Sequence, residues 1–130
     1  MKEPQERFRT LEKFKAAFSG IVSAIRSEVN LRIQLVVFGI VVALGLWFQL
    51  DAMEWVAVLL VSGLVLSAEI MNTSIEKLCD VLHPNRDPGI GKVKDLSAGA
   101  VLVAALAAAA VGAIVFIPKV WQLIKTFWEK

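Results

Sequence analysis

The chain has 130 residues, a formal net charge of +2 and 57% hydrophobic residues, with a mean hydropathy of +0.66. That length suits one small domain, the apolar share exceeds that of an ordinary soluble domain, and the near-neutral charge gives no basic footprint for nucleic acid. A lone cysteine, Cys79, excludes an internal disulfide framework.

The N-terminal stretch "MKEPQERFRTLEKFK" is polar and mixed in charge. It has no apolar h-region and no cleavage-like site, so it does not read as a signal peptide. Leu11, Phe14, Phe18, Ile21, Val22 and Ile25 then recur at helical spacing. That pattern predicts an amphipathic surface helix within residues 1–27. Three apolar runs follow, Leu35 to Leu50, Val56 to Ala68 and Ala98 to Ile117. A bilayer core about 30 Å thick takes about 20 residues of helix. The first run reaches that length if its helix begins near Val29, and the second if its polar-faced extension through Leu82 is included. The predicted transmembrane helices are therefore 29–50, 53–82 and 94–118. Runs one and three have no outward polar face, which argues against three buried helices of a soluble bundle. The fold class is an all-α membrane protein: one surface helix and three transmembrane helices in a single membrane-embedded domain.

The connections set the orientation. "QLDAME" has no Lys or Arg, whereas "HPNRDPGIGKVKD", residues 83–95, holds three basic residues, two Pro and two Gly and reads as a loop. The positive-inside rule places the N-terminus and this second connection in the cytoplasm. Lys119, Lys125 and Lys130 then lie outside, outnumbered by the Lys and Arg before Asn30. Trp47, Phe48 and Trp55 flank the outer connection, and Trp121, Phe127 and Trp128 the tail, as interfacial aromatics do. The small residues of "AALAAAAVGA" let the third span approach other helices closely, within the chain or between chains.

The second span carries the chemistry. Glu69, Asn72, Glu76 and Asp80 are spaced three, four and four residues apart, so they form one stripe on a helix, weakly continued by Ser62. Counted from Trp55, Glu69 lies about 21 Å along the helix axis, in the inner third of the hydrocarbon. A charged residue at the centre of a span costs about 2.5–3.5 kcal/mol on insertion scales, so it must be neutral, paired or functional. A purely structural polar contact needs one such residue; this stripe has four. Carboxylates in poorly solvated surroundings bind protons more tightly than in water, which suits general-base work on a hydroxyl. Carboxylates nearer water suit Mg²⁺, which takes oxygen ligands and keeps bridging phosphates.

A second acidic centre, "SEVNLRIQ", precedes the first span. Glu28 is expected level with Glu76, and two carboxylates from two helices at one depth make a candidate metal site. The bland reading of Glu28 is a solvated helix end paired with Arg32 four residues on. "GKVKD" puts Lys92, Lys94 and Asp95 at the mouth of the third span, where lysines can hold phosphates as well as anchor the orientation. It is not a Walker A loop, because Val93 follows Gly91-Lys92 and Arg86 stands at the position of the first Gly. His83 reads as a solvated loop residue.

"AEIMNTSIEKLCD", "KVKDLSAGAVL" and "SEVNLRIQ" together resemble the small bacterial membrane kinases of the diacylglycerol kinase and undecaprenol kinase family, over residues 14–119. The family pattern E-x-x-N-[ST]-x-I-E-x-x-x-D, followed by K-D, falls on Glu69, Asn72, Thr73, Ile75, Glu76, Asp80, Lys94 and Asp95. The ending "FIPKV" is similar to members of the undecaprenol type. The resemblance implies a homotrimer with shared active sites in the bacterial inner membrane, multi-pass, with the active site at the cytoplasmic face. It implies an ATP- and Mg²⁺-dependent lipid kinase acting on diacylglycerol or undecaprenol. Glu69 falls on the general base and Asn72 beside the acceptor hydroxyl. Glu28 and Glu76 fall on magnesium and ATP contacts, Lys94 and Asp95 on nucleotide contacts, and Arg32 near the lipid headgroup. One departure is Asp87, which precedes Pro88 where the family commonly has His; an acid there is expected to repel ATP phosphates. The rival readings are a non-catalytic membrane oligomer glued by its polar stripe, and a small ion carrier using Glu69 as a proton site.

Overall fold

The computed structural model describes residues 4–85 and 87–129, with side chains from Thr10 onward. Residues 1–3, Arg86 and Lys130, which belong to the expected surface helix, basic connection and charged tail, lie outside the described residues. Four helices follow one another: α1 Pro4–Ser27, α2 Val29–Trp47, α3 Ala52–Leu82 and α4 Pro88–Trp128. The architecture is all-helical, as expected. Helices α2, α3 and α4 are each long and apolar enough to cross a membrane.

Helix α1 stops where Glu28 adopts an extended backbone, at φ −106° and ψ 121°, and α2 restarts from it. Near this break Ala24 is buried, and Val22 and Ile25 half-buried, while Leu11, Phe14 and Phe18 stay exposed along the helix. The chain itself offers those three side chains no cover, as suits a helix lying on lipid.

The turn from α2 to α3 is tightly specified. Leu50 N donates to Gly45 O at 3.0 Å and Gln49 N to Leu46 O at 3.3 Å. This is the paired bonding of a Schellman end, with Gln49 at φ 52° where glycine is usual. Asp51 and Glu54 then close a capping box, each carboxylate accepting from the other's backbone N–H at 2.9 Å. A Cβ on Gly45 would stand 2.7 Å from the Trp55 ring, so the absence of a side chain is what lets α2 and α3 meet here.

Helix α3 packs along α4 and, less extensively, along α2. Leu50, Val58 and Val115 form a small buried cluster at the turn end, with Val41, Trp55, Val111 and Phe116 against it. Between α2 and α4, over the face of α3, lies a cleft of about 460 Å³. Within the three spanning windows only 11%, 22% and 11% of residues are buried, so most apolar side chains face outward and must be covered by lipid or other chains.

Helix α4 begins earlier than the sequence reading allows. Residues 83–95 were expected as one loop, but the helix starts at Pro88. The reason is local: Asp87 accepts from Gly89 N at 2.7 Å and Ile90 N at 3.0 Å, capping a helix that has Pro in its first turn. The amides of Ile90 and then Gly89 hold the Asp87 carboxyl below its usual range, and His83 adds a smaller effect of the same sign. Gly89 and Gly91 are therefore helical, and the expected span 94–118 lies within a 41-residue helix.

Candidate active site

The polar stripe of α3 faces its neighbours rather than lipid. Glu69 is 4% exposed, Asn72 8% and Thr73 4%, and Ser97 of α4 is buried as well. Burial of a carboxylate and an amide is expensive unless they are hydrogen-bonded, so their partners define the site.

Glu69 Oε2 accepts a hydrogen bond from Gln34 Nε2 of α2 at 3.2 Å. One turn along α3, Asn72 Nδ2 donates to Glu76 Oε1 at 3.1 Å. Both amides are used only in part: Gln34 Oε1 and Asn72 Oδ1 are buried with no partner among the described residues. A buried unpaired acceptor costs about 1–3 kcal/mol, and this end of the bundle carries two. The site is thus rich in acceptors and short of donors, an arrangement that a hydroxyl, a water or a cation relieves.

Glu28, at the break between α1 and α2, accepts from Ser27 Oγ at 3.0 Å and stands 3.4 Å from Lys77 Nζ. Lys77 also donates to Ser27 Oγ at 2.8 Å. The expected pairing of Glu28 with Arg32 does not form; Glu28 turns to Lys77 and Arg32 is exposed. The extended backbone at residue 28 explains this, because the four-residue spacing brings side chains together only within continuous helix. Lys77 is the residue after Glu76. The contact therefore puts Glu28 beside the turn of α3 that carries Glu76, and both carboxylates are half-buried.

Lys94 of α4 pairs with Asp80, the last member of the stripe. Asp95 and Lys92 are exposed on the first turns of α4. The structure therefore ties Gln34, Glu28 and Lys94 to the second half of α3 through Glu69, Lys77 and Asp80, with Asn72 bonded to Glu76 there, while Arg32 and Asp95 are exposed. Two participants escaped the sequence reading. Gln34 stood only as the last residue of "SEVNLRIQ", and Lys77 only at a variable position of the motif. Its opposite charge beside Glu76 was the available signal.

Among the described residues no group of three or more His, Cys, Asp or Glu side chains could by itself hold a metal ion. Two half-buried carboxylates nevertheless fit magnesium bound together with a nucleotide, because that ion uses one or two carboxylates and completes its shell with water and phosphates.

A buried carboxylate near one end of three helices long and apolar enough to cross a membrane, with half-buried acids and a lysine beyond it, fits a multi-pass membrane protein with a polar site at one end of its bundle. Residues 15–116 match the prokaryotic diacylglycerol kinase family, and the chain belongs to that family. It is 32% identical over 111 residues to an undecaprenol kinase of Bacillus subtilis, covering 85% of this chain and 90% of that protein. It is 31% identical over 115 residues to a diacylglycerol kinase of Synechocystis, covering 88% of this chain and 66% of that protein.

Proposed function

We propose that the protein transfers the γ-phosphoryl group of MgATP to the hydroxyl of a membrane lipid alcohol, diacylglycerol or undecaprenol. It works at the cytoplasmic face of the bacterial inner membrane as a homotrimer. The observation that carries the reading is Glu69: 4% exposed, tied through one oxygen to Gln34, with its other oxygen free for a substrate proton.

The hydroxyl proton passes to the Glu69 carboxylate as the lipid oxygen attacks the γ-phosphorus. The bond from that phosphorus to its bridging oxygen breaks, and its electron pair leaves with ADP. Asn72, bonded to Glu76, holds the link between base and nucleotide ends of the stripe. Glu28 and Glu76 would hold magnesium, which supplies charge neutralisation on the phosphates when bound. Lys94, held by Asp80, is placed to meet phosphate from the water side, with Asp95 exposed beside it. Arg32, exposed on the first turn of α2, suits a headgroup contact. The depth difference has a physical reason: the acceptor is tethered in lipid, whereas ATP arrives from water.

The test is label transfer from ATP in mixed micelles, with diacylglycerol and undecaprenol offered side by side to the native protein and to Glu69→Gln. Magnesium-dependent labelling of one lipid by the native protein, lost in the variant, supports the reading. No labelling of either lipid overturns it in favour of a non-catalytic oligomer.

A further inference from the structure

Gln34 sits where an amide is a poor choice for packing. It lines the polar end of the cleft between α2 and α4, among Val37, Phe38 and Val41 of its own helix. Across the cleft stand Ala105, Ala109 and Gly112 of α4. Its side chain makes one hydrogen bond, to Glu69, and its carbonyl oxygen is buried and unpartnered. An apolar side chain of the same length would fill this wall without orphaning an acceptor. Packing therefore does not account for the residue, and its one bond goes to the proposed general base.

We propose that Gln34 is the positioning residue of the phosphoryl-transfer step: its amide holds one oxygen of Glu69 so that the other alone meets the lipid hydroxyl at the end of the cleft. This rests on Glu69 being the base. A carboxylate on a free side chain can rotate and offer either oxygen, or turn away. Anchoring Oε2 to α2 fixes the plane of the group and leaves Oε1 as the acceptor. The anchor is on a different helix from the base, so it ties α2 to α3 at this depth. Small displacements of a base from its proton matter: about 1 Å can cost about 100-fold in rate. The nucleotide side of the site, Glu28, Glu76 and Lys94, makes no hydrogen bond to Gln34 and is expected to work without it.

The experiment compares Gln34→Met and Gln34→Glu with the native protein in mixed micelles containing undecaprenol and diacylglycerol. Methionine keeps length and removes the donor; glutamate keeps shape and replaces the donor with an acceptor. For Gln34→Met, kcat for lipid phosphorylation is expected to fall about 10- to 100-fold, with KM for MgATP within about twofold of native and thermal stability only modestly lowered, by the loss of the one donor to Glu69. Gln34→Glu is expected to lose at least as much. Native kcat in either variant overturns the proposal, and so does a loss in Gln34→Met that tracks lowered stability and a raised KM for MgATP. The parent reading fails separately: if Glu69→Gln keeps native turnover, Glu69 is not the base, whatever the Gln34 variants do.

Discussion

The two ends of the bundle solve opposite problems. At the turn between α2 and α3 every signal closes on itself. Gly45 admits the Trp55 ring, the backbone completes a Schellman end, Asp51 and Glu54 cap each other, and Leu50, Val58 and Val115 are buried together. Even the charge there is paired, since Glu54 also meets Lys119 at 2.9 Å. Lys125 lies over the Trp121 ring at 5.9 Å. Two of the cations that the positive-inside rule places outside are thus held by neighbouring side chains. At the other end Glu69, Asn72 and Thr73 are buried, two carbonyl oxygens have no partner, and the acids are matched one by one to Gln34, Lys77 and Lys94. One end is satisfied and holds the helices; the other keeps unused hydrogen-bonding capacity, which the proposed substrate would take up.

The contrast is tested most sharply by removing the proposed base. Glu69→Gln is isosteric and cannot take a proton, so turnover is expected to drop about 10²- to 10⁴-fold, with melting temperature and oligomer size held. A large loss of stability would show that Glu69 also holds the bundle together. The reverse experiment is Gly45→Ala. The added methyl meets the Trp55 ring at 2.7 Å, and overpacking of this kind costs about 1–3 kcal/mol. Thermal unfolding is expected to shift down while KM for MgATP stays at its native value. A raised KM with native stability would show that the ends are not separate.

A smaller effect is expected at Lys77. If Glu28 receives magnesium, this lysine competes for the same carboxylate from 3.4 Å. Lys77→Met is expected to lower the magnesium concentration required for binding roughly three- to tenfold, less at high salt. Paramagnetic manganese titration without ATP reads this directly; weaker manganese binding would make Lys77 part of the site rather than its counter-ion.

The smallest effect lies outside both ends, at Asp87. Its carboxyl is held below the ordinary value of 3.8 by the amides of Ile90 and Gly89. A folded-state value lower than the unfolded one means the stabilisation is complete above pH 3.8 and lost as pH falls through the folded value. Asp87→Ala is expected to speed hydrogen exchange at the first turn of α4 at neutral pH, with the difference from native vanishing in strong acid. Because the carboxylate is turned onto the helix end, the repulsion of ATP expected from an acid here is reduced. An Asp87→His variant that lowered KM for ATP with exchange unchanged would restore the repulsion and remove the cap.

What the sequence determined by itself is whatever depends on neighbours along the chain. Three runs of sufficient apolar length fix three spans, and steps of three and four residues put Glu69, Asn72, Glu76 and Asp80 on one face whatever surrounds them. The Asp87-Pro88 pair carried the start of α4 in the same local way, although the glycines after it argued for a loop. The motif spanning Glu69 to Asp80, with Lys94 and Asp95, was likewise legible and led to the family. Tertiary structure decided which partner each group meets. Gln34 and Glu69 are 35 residues apart, and Lys77 and Ser27 are 50. Those meetings depend on how α2 is rotated and shifted against α3. The close approach at Gly45 and Trp55 and the break at Glu28 set that rotation, and no periodicity within either helix contains it.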